Sequence, residues 1–391
     1  MKFNLGAGEQ PLDGWQNLDL KTGHTIYPLP VADGSADEIR ASHVLEHFPR
    51  ADVVAVVTDW VRALKPGGTL RLAVPDFRKV AEDYLAGKPG NPQGYIMGGQ
   101  VDAADYHKTL FDRDDLRAVM AAAGLVLLRD WRSEIQDCAS LPVSLNLAGT
   151  KPHKSSIKVG AAMSTPRLGF MDNFFSAVEA LPPLGIALRK VTGAFWGPNL
   201  QWCLEEIVAD PSIEAVMTLD YDSIFTRKHA ATLLELALCH PEADCIVPVQ
   251  SNRHKASPLF TLPGVRAVTG AYDEMISVER DVFAGDLVPV KTAHFGLTLI
   301  RADKLRALPK PWFLGTPNGE GRWDDGKIDE DIHFWREWEK AGNNLMLAPK
   351  VVIGHAELMV RWPDDGMAAK WQPMSEWNET KQPPAGTWTG A

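Results

Sequence analysis

Short apolar runs alternate with helix-period segments along the whole chain, and that alternation leaves few architectures open. Brief, continuously apolar runs suit strands buried on both faces, and intervening helices join such strands in parallel. The predicted class is therefore α/β, built from doubly wound, Rossmann-like sheets. In the first half, strands are predicted at Lys2–Leu5, Gln16–Leu20, Glu38–Ser42, Thr69–Val74, Leu125–Ser133 and Val143–Leu147. Helices are predicted at Ala51–Leu64, Phe77–Ala86 and Asp112–Ala123. The last opens on FDRDD, whose acidic first turn suits the positive end of a helix, and it stops at Gly124. A second series has strands at Ile157–Met163, Ala215–Leu219, Asp244–Val249, Thr298–Ile300 and Val351–Ile353. Its helices are predicted at Phe170–Leu181, Leu200–Ala209, Arg227–Cys239 and Asp331–Ala341.

The segment Gly149–Ser156, GTKPHKSS, is polar, contains a proline and has no apolar period, which marks a boundary between the two series. With 391 residues, two domains of ordinary size fit: 1–152 and 155–361. Residues 362–391, rich in Pro, Gly and Trp, read as a loosely ordered extension or a lid. A net charge of −10 with no long basic run argues against attachment to nucleic acid by general attraction. The four cysteines lack metal-ligand spacing, and no apolar run reaches signal or transmembrane length, so a cytoplasmic protein is expected. Thirteen tryptophans read first as packing residues, with a sugar-stacking platform as the alternative for some.

Two constellations can carry chemistry. FNLGAG runs from an apolar strand into a turn whose glycines, Gly6 and Gly8, let the backbone approach a ligand. Asp19 ends the next strand, where a carboxylate can accept from both ribose hydroxyls. His107, just ahead of a helix, is a proton acceptor or a capping or packing residue. In the second half, Asp220-Tyr221-Asp222 follows the apolar strand EAVMTL, and two carboxylates so placed can reach one hard cation. Asp329-Glu330-Asp331 opens a helix, and a carboxylate there is a cap or a general base. His355 ends the run VVIGH, where an imidazole can complete a metal site.

Across Met1–Pro152, the motifs LGAG, GWQNLD, ASHVLEHF, LKPGGTLRLAVPD and SLNLAGTKP resemble a class I S-adenosylmethionine-dependent methyltransferase. The resemblance implies that Gly6 and Gly8 line the methionine portion, that Asp19 holds the ribose, and that His43 lies beside the cofactor. It also implies a turn at Pro66–Gly68 into the following strand. Only a short link separates LGAG from the second strand, so the first crossover helix is expected to be shortened or absent. Over Ile157–Glu357, the ordered set DYD, HFGLTLIRADKL, KPWF, DEDIHFWREWEKAG and VVIGH resembles a GT-A glycosyltransferase. That resemblance implies a Mn²⁺ or Mg²⁺ held by Asp222 and His355, with Asp220 on the metal or the nucleotide ribose. Thr165 and Arg167 would lie near the base or diphosphate, and Glu330 and Asp331 would face the acceptor, Asp331 as the base. The expected activity is transfer of a sugar from a nucleotide-sugar donor to a glycan or other hydroxyl, combined with methylation of the glycan; an acidic base at Asp331 favours inversion, while retaining enzymes share the same fold and metal motif. The alternatives are a glycosyltransferase with an inactive docking domain, and a non-catalytic glycan-binding protein.

Overall fold

A computed structural model describes residues 1–8, 11–166, 168–252, 257–263 and 280–388. The chain divides into two compact units, Met1–Ser156 with Leu238–His240, and Ile157–Ala237 with Pro241–Ala391. Both are α/β, as the alternation predicts. Among the described residues, no helix is long and apolar enough to cross a membrane.

The first unit holds a six-stranded sheet: β1 (Lys2–Leu5), β2 (Gln16–Leu18), β3 (Ala36–Ser42), β4 (Leu64–Pro75), β5 (Val126–Asp130) and β6 (Ser144–Thr150). Their order is β2-β1-β3-β4-β6-β5. β1 to β4 pair in parallel, and β6 runs antiparallel to both of its neighbours. The helix Val53–Ala63 buries Val53, Val56, Val57, Trp60 and Val61, one face at helical spacing, against this sheet's core. Asp76 and Asp112 cap the helices Phe77–Leu85 and Arg113–Ala122 by accepting two backbone N–H bonds each. β1 and β2 are parallel neighbours, yet among the described residues no helix joins them.

The turn expected at Pro66–Gly68 is instead a bulge inside β4. Pairing with β3 passes from Ala36↔Leu64 to Glu38↔Thr69, and residues 65–68 loop out. Gly68 fits because a Cβ there would lie 2.9 Å from the Lys65 carbonyl. The predicted boundary segment also starts too early. Gly149 and Thr150 are buried in β6, and Lys151 Nζ donates to the Arg62 and Leu64 carbonyls, closing a helix end.

The second unit holds a seven-stranded mixed sheet in the order β13-β16-β11-β15-β9-β7-β8. Its strands, in chain order with the short ladders between them, are β7 (Val159–Thr165), β8 (Ala187–Thr192), β9 (Ala215–Asp220), β10 (Ser223–Ile224), β11 (Cys245–Val249), β12 (Phe260–Thr261), β13 (Val288–Pro289), β14 (Thr292–Ala293), β15 (Leu297–Arg301), β16 (Met346–Val352) and β17 (Gly354–His355). β7 and β9 are parallel, with Ser164 opposite Asp220. β15 is antiparallel to β9, with Leu297 opposite Leu219, so its N-terminal approach lies at the edge where β9 ends. Under this sheet Phe295, Phe313, Phe334, Trp335 and Trp338 stack or meet edge to face. Trp312, Trp335 and Trp338 are fully buried, so these late tryptophans are core. The C-terminal segment is not a loose extension: β18 (Met359–Pro363) and β19 (Ala369–Pro373) form a hairpin that runs into the helix Met374–Thr380.

Candidate active sites

In the second unit, β9 delivers the acidic motif to the sheet edge. Asn173, buried on the helix Met171–Ala180, donates to the Asp220 carbonyl at 2.8 Å and the Ser223 carbonyl at 2.7 Å. These two bonds hold the Asp220–Ser223 turn from beneath. β10 and β17 then pair antiparallel, Ser223 opposite His355, which brings His355 Nε2 to 3.4 Å from Asp222 Oδ2. His355 Nδ1 faces the Ser251 carbonyl at 2.9 Å; as donor there it leaves Nε2 as the ligating atom. Gly296 passes so close to Ser223 that a Cβ would sit 2.5 Å from its hydroxyl oxygen.

A cavity of about 630 Å³ opens over this edge, a size suited to a small-molecule ligand. Asp220, Asp222 and His355 line one side; Glu330 and Asp331, at the start of the helix Glu330–Lys340, line another, with exposed Trp323 beside them. Burial raises the Asp331 carboxyl to about 6. Asp220 is pushed up to about 7, by burial first and by the charge of Asp222 next. The Trp196 indole donates to Asp220 Oδ1 at 3.0 Å.

Hydrogen bonds within the protein already engage several of the expected site residues. Glu330 Oε2 accepts from the Gly197 backbone N–H at 2.8 Å, so this side chain braces two helix starts instead of pointing its whole carboxylate at an acceptor. Thr165 spends its hydroxyl on β8, meeting the Val191 carbonyl and the Thr192 hydroxyl. Arg167 lies outside the described residues. Asp220, Asp222 and His355 also do not form a close trio of donor atoms, because Asp220 turns toward Trp196. Asp222 and His355 are the pair that meets.

In the first unit, a cavity of about 310 Å³ is lined by Gly6, Asp19, His43, His47 and Lys108, among others. Gly6 has φ +65°, and a Cβ there would come 2.3 Å from Val44, so the turn after β1 requires glycine. Gly8 N–H donates to Asp19 Oδ2 and Lys21 N–H to Oδ1, both at 2.8 Å. Each oxygen keeps a further lone pair, so a ribose fits, but Asp19 also organises the loop. His43 sits at φ +54° and meets the Ser144 hydroxyl at 3.0 Å. Burial holds its imidazole down at about 4.

Residues 13–72 match the methyltransferase domain family. That segment contains Asp19 and His43. No curated protein matches the chain. Among solved structures, a SAM-dependent methyltransferase from Thermotoga maritima, described as a possible histamine N-methyltransferase, is 17% identical. The match covers 38% of this chain and 81% of that one, with a TM-score of 0.27. A197 from STIV is 9% identical over 55% of this chain and 94% of its own, with a TM-score of 0.36. GalNAc-T7 with UDP, GalNAc and Mn²⁺ is 10% identical over 51% of this chain and 44% of its own, with a TM-score of 0.32.

Sequence reasoning missed three features. Asn173 gives no local signal, since its two partners are backbone carbonyls far along the chain. Trp196 lies ahead of the helix predicted at Leu200–Ala209, which in the structure begins at Trp196 itself. Glu46 and His47 lie inside the segment ASHVLEH, which carries only the family resemblance, and His107 alone reads equally as a proton acceptor or a capping or packing residue. The structure brings these three together.

Proposed function

We propose that the second unit transfers a sugar from a nucleotide-sugar donor to a hydroxyl acceptor, and that the first transfers a methyl group from S-adenosylmethionine. The observation that carries the sugar-transfer reading is the Asp222–His355 pair, 3.4 Å apart on the floor of a cavity that Asp331 also lines. One carboxylate and one imidazole of fixed tautomer suit Mn²⁺, with donor oxygens completing the shell. Asp222 and His355 would hold such a cation, whose chemistry would be to offset charge on the departing diphosphate. Asp331 is half-buried, and its carboxylate, with a pKa raised by desolvation, can take a proton from an acceptor hydroxyl. Trp196 holds Asp220, and Trp323 offers an exposed indole face on which a pyranose can stack.

For the first unit, support comes from the family match over residues 13–72, together with the glycine cradle at Gly6 and the carboxylate of Asp19. S-adenosylmethionine would supply a methyl group on a sulfonium centre; Gly6 would let the chain approach it, and Asp19 would accept from the ribose. The two activities acting on one glycan would give a methylated product.

The test uses the full chain with Mn²⁺ and a panel of nucleotide sugars, reading donor hydrolysis and, with hydroxyl acceptors, product mass. Mn²⁺-dependent turnover of one donor is expected. If no nucleotide sugar binds or turns over with Mn²⁺, the sugar-transfer reading fails. Calorimetry with S-adenosylmethionine tests the other unit separately, and absence of binding would leave it a docking module.

A further inference from the structure

Beneath the first unit's cavity, the structure assembles three potential ligands that neither proposed activity uses. Glu46 is 1% exposed, and neither of its carboxylate oxygens has a hydrogen-bond partner. Leaving a carboxylate so placed is costly unless a cation or a proton joins it. His107 Nε2 lies 3.9 Å from Glu46 Oε1, and His43 Nδ1 lies 3.4 Å from the same oxygen. The donor atoms of Glu46, His47 and His107 all fall within 4.8 Å of one another.

The two imidazoles are prepared for ligation. His47 Nδ1 faces the Tyr106 carbonyl at 3.2 Å, and His107 Nδ1 faces the Tyr95 carbonyl at 3.1 Å. Donating there fixes each tautomer and leaves the Nε2 lone pairs for a metal. The segment carrying His107 is itself docked on Glu46, because the Lys108 and Thr109 N–H groups both donate to the Glu46 carbonyl. The ligands therefore come from two chain segments locked to each other. Bonds of ~2.1 Å in a tetrahedral shell put donors ~3.4 Å apart, so the trio has to draw in by roughly 1 Å.

We infer that Glu46, His47 and His107 bind one divalent transition-metal ion at the wall of the first unit's cavity. Two imidazoles and a carboxylate suit Zn²⁺, Co²⁺ or Mn²⁺, and three protein ligands leave a position open. His47 lines the cavity with Gly6 and Asp19, so the open position faces the proposed methyl-donor pocket. An acceptor oxygen bound there would be held beside the donor. This use of the metal rests on the methyl-transfer reading, whereas binding of the metal does not.

The experiment titrates chelator-stripped full-length protein with Co²⁺, reading the visible absorption of the imidazole-bound ion. It is run in the Asp222→Ala background, which removes the second unit's proposed ligand. One equivalent is expected, with affinity lowered at least tenfold by Glu46→Gln and further by His47→Ala with His107→Ala. Glu46→Gln is nearly isosteric and removes a buried carboxylate, so without a metal role it leaves the metal-free protein equally or more stable. If the background protein takes up no Co²⁺, or Glu46→Gln binds it undiminished, the inference is overturned. Calorimetry with S-adenosylmethionine on the same samples separates the two ideas. Metal without donor binding sinks only the methyl-transfer reading; donor without metal binding sinks only this one.

Discussion

Replacing Asp331 by Asn should make the protein less active and more stable together. Burial raises the carboxyl from 3.8 to about 6, so the folded protein holds this proton more tightly than the unfolded chain does. The sign follows from linkage. Below the unfolded value, both states carry the proton and the group costs nothing. The cost grows as pH rises from 3.8 to about 6, and is constant above that. At 1.36 kcal/mol per pH unit, a shift of this size costs at most ~3 kcal/mol near neutrality. Asn removes the ionisation, and its amide oxygen can still accept from the Ile332 N–H, a bond of 2.8 Å in the structure. Thermal unfolding of Asp331→Asn should therefore match the parent below about pH 4 and exceed it at pH 8. For a domain of this size, each kcal/mol is worth about 2–4 °C. Turnover should fall by about 100-fold or more, the usual worth of a placed base. Mn²⁺ and donor affinity should stay nearly unchanged. In the parent protein, the proposed sugar transfer should speed up with pH through about 6, and that limb should vanish in the variant. A variant that keeps parental turnover, or loses Mn²⁺ binding, would refute the assignment of Asp331 as a base that does not touch the metal.

Asp222→Ala should abolish Mn²⁺-dependent nucleotide binding and turnover together, checked by calorimetry and donor hydrolysis; retained Mn²⁺ affinity would reduce the acidic turn to a strand cap. Asn173→Ala leaves two carbonyls without their donor, and should cost roughly 2 kcal/mol in chemical denaturation while weakening nucleotide binding, although Asn173 is absent from the cavity wall. Asp19→Ala should weaken S-adenosylmethionine by about 1.5–3 kcal/mol, the scale of bonds to a charged group, measured by calorimetry. Limited proteolysis should cut first in the exposed residues 153–156, and early cuts inside β6 would contradict the burial seen there.

Elements with a strong local signal were legible. Lys2–Leu5 and Arg227–Cys239 match the sequence reading to the residue, because apolar periodicity and end signals agree there. β8 went unseen because ALRKVT is an exposed edge strand whose charges break the apolar run. The hairpin of β18 and β19 went unseen because its tryptophans and prolines read as tail composition, and its stability comes from cross-strand pairing. LKPGG looked like a turn, and only the partner strand makes it a bulge. At the sites, the terminal residues of strands were readable because a strand end is a local event. What was not readable is which two strand ends meet. The Glu46, His47 and His107 cluster shows the same limit, since its third member is delivered by a backbone contact to the Glu46 carbonyl.

The ladder of β10 and β17 is only two residues long on each side, yet it is what sets His355 beside Asp222. Its strands lie far apart in the sequence, so closing it carries a large loop entropy for very few bonds. A chain still emerging from synthesis can build β7, β8 and β9 and expose the acidic turn, but it has no imidazole to place there until β17 is made. Under the proposed sugar-transfer reading, a cation held by Asp222 and His355 would act as the late fastener of this edge, strengthening native opposition by mass action. Amide exchange at Ser223 and His355 should slow on adding Mn²⁺ far more than exchange in the central strands, which places control of this site in a reversible local opening and ties retention of the ion to the order in which the sheet is completed.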